Sequence, residues 1–334
     1  MAVRAHGSAR LVAPVKSSHP LNSSLPPGSF AEGAYANTHG SRRYKLFIPS
    51  RNAGKPLPLL VMLHGCLQDP DDFALGTRMN AIAEERRIFV LYPEQSEAAN
   101  QTRCWNWFNA ANQRRDQGEP SIIAGMTREV IGSHNIDARR VYIAGLSAGG
   151  AMAAIMAATY SDLYAAVGIH SGVPYGAAQN FLAAIAAMKD GAAMGPRLPS
   201  KSIPLIVFHG DQDLMVNSRN GEQLVSQWLG GPAPNRRQET STAQAGQGNG
   251  RAFTRTVYRD GAGRAVVENW LVHDAGHAWS GGGSAGSFAD AAGPDASREM
   301  VRFFSAVSQD GTESGGLLKR LKERLRIAGD AKAG

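Results

Sequence analysis

The chain has 334 residues, 43% of them hydrophobic, and a formal net charge of +7. That is enough apolar material for one large domain or two ordinary ones, and no run of about 18 apolar residues exists to cross a membrane. The basic residues have no aromatic interleaving, which argues against a nucleic-acid partner and leaves a basic globular protein with a charged tail.

Residues 1–33 are rich in Ser, Pro and Gly and read as a loose arm. Arg4, Arg10 and Lys16 stand there without the apolar stretch of about 7 residues that a secretory leader needs. Arg43 to Ile48 alternates and predicts an early antiparallel strand. Leu57 to Leu63 is a continuous apolar run, as expected of a strand buried on both faces. A helix over Asn80 to Arg87, a buried strand over Ile88 to Tyr92 and a helix over Ile122 to His134 follow. Val141 to Ala144, Ala165 to Ile169 and Leu205 to Phe208 predict three further strands. A helix over Glu222 to Leu229, a last strand over Val266 to Val272 and a helix over Ala296 to Val307 complete the series. This alternation predicts an α/β class, with a doubly wound, mostly parallel sheet and helices on both faces. Two stretches break it. Pro174 to Pro199 holds a short helix over Ala177 to Lys189 that can cap a site, and Asn235 to Arg251 is polar and reads as a long exposed loop. In the basic tail, residues 311–334, Leu317, Leu321 and Leu325 recur at i, i+4 and predict a short amphipathic helix at the surface. One catalytic domain is expected over residues 34–310.

The richest segment is Val141 to Gly150: a β-branched strand, then G-x-S-x-G, then an alanine-rich helix over Ala151 to Ala158. That order is the nucleophile elbow of the α/β-hydrolases. The turn is tight enough to strain Ser147, and Gly145 and Gly149 remove Cβ atoms that would crowd it. The helix begins directly behind Ser147, so its first N–H groups point at the reacting centre.

A serine hydroxyl needs a base and a carboxylate to orient that base, in the chain order Ser, acid, His on this fold. His273 ends the last strand, and His277 follows in a glycine-flanked loop that can carry an imidazole over the serine. His277 is therefore the base, and His273 is structural. His170 and His209 also follow strands and read as packed or solvated histidines. Asp211 and Asp213 both follow the strand ending at Gly210. Asp213 is preferred, because Leu214 to Val216 can anchor its loop. Asp211 reads as a turn former, and Asp274 ranks behind both. The oxyanion hole needs two backbone donors, one of them the N–H of Ala148. The other comes from Leu63-His64-Gly65-Cys66-Leu67-Gln68: the N–H of Cys66, with Leu67 as the alternative. The only two cysteines, Cys66 and Cys104, are either joined or two buried thiols. No zinc-ligand spacing is present.

Together these segments resemble the esterase family of polyhydroxybutyrate depolymerases, which overlaps with feruloyl and acetylxylan esterases. The matching pieces are L-H-G-C-L-Q at 63–68, D-D-F-A-L-G-T-R-M-N at 71–80 and C-W-N-W-F at 104–108. R-R-V-Y-I-A-G-L-S-A-G-G-A-M at 139–152, H-G-D-Q-D-L-M-V at 209–216 and G-H-A-W-S-G-G at 276–282 complete them. The resemblance covers about residues 34–305 and implies an α/β-hydrolase fold with Ser147, Asp213 and His277 as nucleophile, acid and base. It also implies the Cys66 amide in the oxyanion hole, with Cys104 brought up to Cys66. A disulfide there favours an extracellular or periplasmic protein; cytoplasm is the alternative. Where the family often has proline after its His-x-Trp, this chain has Ser280. No linker or substrate-binding domain is expected beyond the catalytic domain, and oligomers, amorphous polymer or small esters are the expected substrates.

The expected reaction is carboxylic-ester hydrolysis through an acyl-serine, needing no metal or cofactor. His64, Gln68, Trp105, Trp107 and Trp279 stand beside the motifs and are the candidate substrate surface, although Trp105 and Trp107 suit a core equally well. The first substrate class is a short-chain hydroxyalkanoate polyester or its oligomers. A feruloyl, acetylxylan or general short-acyl esterase is the alternative. An acyltransferase and a non-catalytic polymer- or partner-binding hydrolase fold are the rivals of other classes. Oligomeric state is left open.

Overall fold

A computed structural model describes residues 28–52, 54–192, 196–198, 202–230, 237–244 and 250–308. β1 (Ser29–Asn37) and β2 (Gly40–Ile48) pair as an antiparallel hairpin. β3 (Leu57–Leu63) leads to α1 (Pro70–Thr77) and α2 (Met79–Arg86), then β4 (Phe89–Pro93). α3 (Gly118–Ser133), β5 (Ile136–Leu146), α4 (Ala148–Thr159) and β6 (Ala166–His170) follow. The second half holds α5 (Phe181–Asp190), β7 (Leu205–Gly210) and α6 (Arg219–Leu229). β8 (Arg237–Gln244), β9 (Ala252–Arg259), β10 (Ala265–Val272) and a helix over residues 296–308, α7, end the described chain.

These ten strands form one sheet in the order β1-β2-β4-β3-β5-β6-β7-β10-β9-β8. The run β4-β3-β5-β6-β7-β10 is parallel, and antiparallel pairs close both edges. Alternation along β3 explains the double winding. Leu59, Val61 and Leu63 pack on one face with Ala153, Met156 and Leu224, while Leu60 and Met62 pack on the other with Phe73, Ile82 and Phe303. One side chain per residue thus feeds each core in turn. The parallel strands end at one edge of the sheet, where function gathers in open α/β folds.

The expected α/β-hydrolase architecture is present, with differences in detail; α1 and β9 are among the elements that no expectation covered. The expected arm ends earlier, because β1 begins at Ser29, and the expected loop 235–251 contains β8. β8 is Arg-Gln-Glu-Thr-Ser-Thr-Ala-Gln, an edge strand exposed over residues 237–243, so no apolar alternation marks it. The capping helix starts at Phe181 rather than Ala177, where Asn180 accepts a hydrogen bond from Ala183 N–H and caps it. Residues 1–27 and the basic tail lie outside the described residues. Among the described residues no helix is long and apolar enough to cross a membrane.

Candidate active site

Ser147 sits between β5 and α4 at φ 57° and ψ −120°. A non-glycine residue there stores on the order of 1–3 kcal/mol of strain, which the surroundings must hold. They do so through two backbone bonds: Ser147 N–H donates to His170 O at 2.9 Å, and Ser147 O accepts Ala151 N–H at 2.9 Å. The two glycines are required for a reason other than the one expected. A Cβ at Gly145 would lie 2.3 Å from Gly149 O, and one at Gly149 would lie 2.0 Å from Leu63 O. The obstacle is the helix start folding back on β5 and lying against β3, not the serine.

The late loops bring Asp213 and His277 together. His277 Nδ1 donates to Asp213 Oδ2 at 2.7 Å. Asp213 Oδ1 accepts Met215 N–H at 3.0 Å and Val216 N–H at 2.8 Å. Burial alone would raise the Asp213 carboxyl, but bonds from His209, His277 and the Val216 amide outweigh it and hold the group far below the usual carboxylate range. His209 Nε2–H lies 2.7 Å from Val216 O and 3.5 Å from Asp213 Oδ2, so it is shared between the two. Of the expected anchors, only Val216 is buried; Leu214 is 95% exposed. Asp211 accepts from His273 Nδ1 at 2.9 Å and from Asp274 N–H at 2.8 Å, so it belongs to a separate, structural pair. His273 Nε2 lies 2.9 Å from Thr254 Oγ1, which fixes its other end.

The loop after β3 is held from three sides. His64 Nε2 accepts Gln95 N–H at 3.1 Å, so its proton is on Nδ1, which donates to Gly65 O at 2.7 Å. Burial lowers the His64 imidazole and keeps it neutral. In a trans peptide the C=O and N–H point opposite ways, so holding Gly65 O fixes the direction of Cys66 N–H. Gln68 Oε1 accepts Gly65 N–H at 3.0 Å, while its amide nitrogen donates to Asp72 at 2.9 Å. Cys66 and Cys104 are joined by a disulfide. Leu67 N–H donates to Thr102 O at 2.7 Å. Among the described residues, the Cys66 and Ala148 amides have no such acceptor.

Ser147 and His277 line one cleft of about 360 Å³, together with Gly65, Leu67, Met215 and Phe288. A smaller chamber of about 110 Å³ adjoins it beyond the disulfide, walled by Trp107, Phe108, Phe181 and Met188. The expected substrate surface needs correction. His64, Trp105 and Trp279 are buried and do not reach the cleft. His64 points back at the backbone, and Trp279 Nε1 donates to Ser297 Oγ at 3.0 Å inside the second core. Gln68 lines the cleft, but its amide is spent on the protein. Trp107 lines the small chamber. His170, read as a packed histidine, is buried as expected. Burial, with His209 and His277 nearby, pushes its imidazole down to about 3. A hydroxyl, an imidazole and a buried carboxylate so arranged can run acyl transfer, with the two amides as oxyanion donors.

The sheet order and the serine turn between β5 and α4 assign the chain to the α/β-hydrolases. Its fold overlays the acetyl xylan esterase from Aspergillus awamori with a TM-score of 0.61 at 19% identity, covering 79% of this chain and 94% of that one. Within that class the chain belongs to the esterase family described as Esterase PHB depolymerase, whose model matches residues 42–247. It is 30% identical over 234 residues to poly(3-hydroxyalkanoate) depolymerase C of Paucimonas lemoignei, covering 66% of this chain and 54% of that protein. It is 34% identical over 134 residues to feruloyl esterase B of Neurospora crassa, covering 40% of this chain and 44% of that protein. The chain thus spans about half the length of these curated relatives.

Proposed function

We propose that the protein is a serine carboxylic-ester hydrolase that cleaves short-chain hydroxyalkanoate polyester or its oligomers. His277 Nε2 takes the proton of Ser147 as the hydroxyl attacks the ester carbonyl. Asp213 holds the proton on Nδ1 and stabilises the imidazolium. The oxyanion is bound by the Cys66 and Ala148 amides, the alcohol leaves, and water releases the acyl group through the same base.

The observation that carries the substrate class is the apolar character of the cleft and its mouth. Leu67, Met215 and Phe181 line the cleft or its side chamber and are still 68%, 58% and 61% exposed. Sugar hydroxyls would need buried polar partners, and Gln68, the longest polar side chain of the cleft wall, is already used. An aliphatic polyester needs no such partners beyond the oxyanion donors. The likeness to a poly(3-hydroxyalkanoate) depolymerase supports this reading. The likeness to feruloyl esterase B supports a second, an esterase of aromatic or short acyl groups.

The test is release of 3-hydroxybutyrate from amorphous polyhydroxybutyrate against release of ferulate from its methyl ester, with Ser147→Ala as the blank. Polymer turnover well above ferulate release is expected. The reverse ratio favours the second reading, and activity surviving in the Ser147→Ala variant refutes both.

A further inference from the structure

We infer that His170 is a positioning residue that ties the backbone of the nucleophile turn to the backbone of the base loop. The inference rests on Ser147 as nucleophile and His277 as base. His170 ends β6 and pairs in register with Leu146, the residue before the nucleophile. Its main-chain oxygen accepts Ser147 N–H at 2.9 Å. Its ring Nε2 accepts the N–H of Ser280, 110 residues further along, at 2.9 Å. One residue therefore touches the backbone of the nucleophile turn and that of the base loop.

The ring is locked. It stacks on Trp279 with centroids 5.1 Å apart and on Phe208 at 5.8 Å. Because Nε2 accepts, the proton is on Nδ1, which lies 3.1 Å from Ser171 Oγ. The loop end is clamped on its other side as well: Ser280 Oγ donates to Pro294 O at 2.7 Å. Asp213 fixes only the Nδ1 end of the His277 ring. The Ser280 bond to His170 fixes where the loop carrying His277 stands relative to Ser147. A purely packing histidine would need neither a set tautomer nor a backbone donor aimed at its free nitrogen.

Steady-state kinetics on a soluble ester, p-nitrophenyl butyrate, compare wild type with His170→Phe and His170→Gln. Phenylalanine keeps a stacking ring without an acceptor; the glutamine amide oxygen reaches the place of Nε2. His170→Phe is expected to lower kcat about 100-fold, the loss typical of a roughly 1 Å misplacement, with KM changed less than about threefold. His170→Gln is expected to recover about tenfold of that loss or more. A folded His170→Phe with kcat within about threefold of wild type overturns the inference, as does equal loss in both variants. Ring ¹⁵N shifts of the wild-type protein test it without any variant: His170 protonated on Nδ1 supports it, and protonated on Nε2 overturns it. Ser147→Ala and His277→Ala run alongside. If either retains activity, the nucleophile–base reading has failed. If both are dead and His170→Phe is unaffected, only the role of His170 has.

Discussion

Replacing Asp213 by asparagine tests the acid–base assignment at its most exposed point. Asp213 Oδ1 takes two backbone donors, Met215 N–H at 3.0 Å and Val216 N–H at 2.8 Å. In an asparagine the carbonyl oxygen must stay there, because turning the NH₂ toward those amides would set donor against donor. The NH₂ then faces His277 Nδ1, where the carboxylate oxygen now stands at 2.7 Å. It donates, so Nδ1 becomes the acceptor and the proton moves to Nε2, the nitrogen that must take the proton of Ser147. The fold is kept and the tautomer is wrong. Carboxylate-to-amide swaps in such a relay lower kcat by about 10⁴, or about 5 kcal/mol of transition-state stabilisation. KM is expected to hold within about twofold, since no uniform binding contact is lost. The assay is kcat and KM on p-nitrophenyl butyrate, with Asp211→Asn as the matched control, whose carboxylate serves His273. A loss below about tenfold in Asp213→Asn, or an equal loss in Asp211→Asn, would refute the reasoning.

Gly149→Ala places a Cβ 2.0 Å from Leu63 O and is expected to cost more than about 3 kcal/mol, whereas Gly132→Ala, in α3 with nothing within 4 Å, gains about 0.5–1 kcal/mol; urea midpoints of the pair check the contrast. Reducing the Cys66–Cys104 bond, which spans a sequence separation of 38, is expected to cost about 4 kcal/mol on the chain-entropy model and to loosen the loop that carries the Cys66 amide. An unchanged urea midpoint and full activity in reductant would contradict that. Asp213, held low in the folded state, contributes stability that is complete above its unfolded value of about 3.9 and fades as pH falls through the lower folded value. The stability gap between wild type and Asp213→Asn should therefore be constant near neutrality and shrink below about pH 4, as acid unfolding curves would show. Leu214→Asp, at a side chain 95% exposed and next in the chain to Met215 of the cleft wall, is expected to leave soluble-ester turnover within about twofold and to lower turnover of amorphous polymer severalfold.

What the sequence makes legible follows from where apolar periodicity operates. β3, buried on both faces, was read with the bounds observed, because every residue of Leu57–Leu63 is apolar or proline. β8 is not legible because an edge strand exposed over residues 237–243 needs no apolar alternation, and its one apolar residue, Ala243, makes none. The segments that carry Ser147, Asp213 and His277 are legible because each follows a strand at the same edge of the sheet, while the choice of Asp213 over Asp211 and of His277 over His273 needs the loop sequence as well. Side-chain direction was not legible. Trp279 lies two residues from His277, and His64 two from Cys66, yet both turn inward, one to Ser297 and one to Gly65. The partner of His170 is 110 residues away, a spacing that no local pattern encodes.

Burial acts on this site in two opposite directions, and hydrogen bonding decides which. His64 and His170 are buried with bonds that suit the neutral ring, so desolvation lowers both and each keeps one tautomer. Asp213 is buried too, but it faces two backbone amides and two imidazoles, and these donors outweigh desolvation and keep it ionised. The result is one anion beneath His277, with the neutral His170 ring nearby. An imidazolium forming at His277 then meets a single fixed negative charge and no competing cation among these rings. The two neutral rings serve geometry instead, His64 by turning a loop amide and His170 by spacing two backbones. A cation placed at position 170 would add repulsion toward the imidazolium as well as break the bond to Ser280. Neutral replacements at position 170 should therefore be milder than cationic ones of similar size, an ordering that packing alone does not predict.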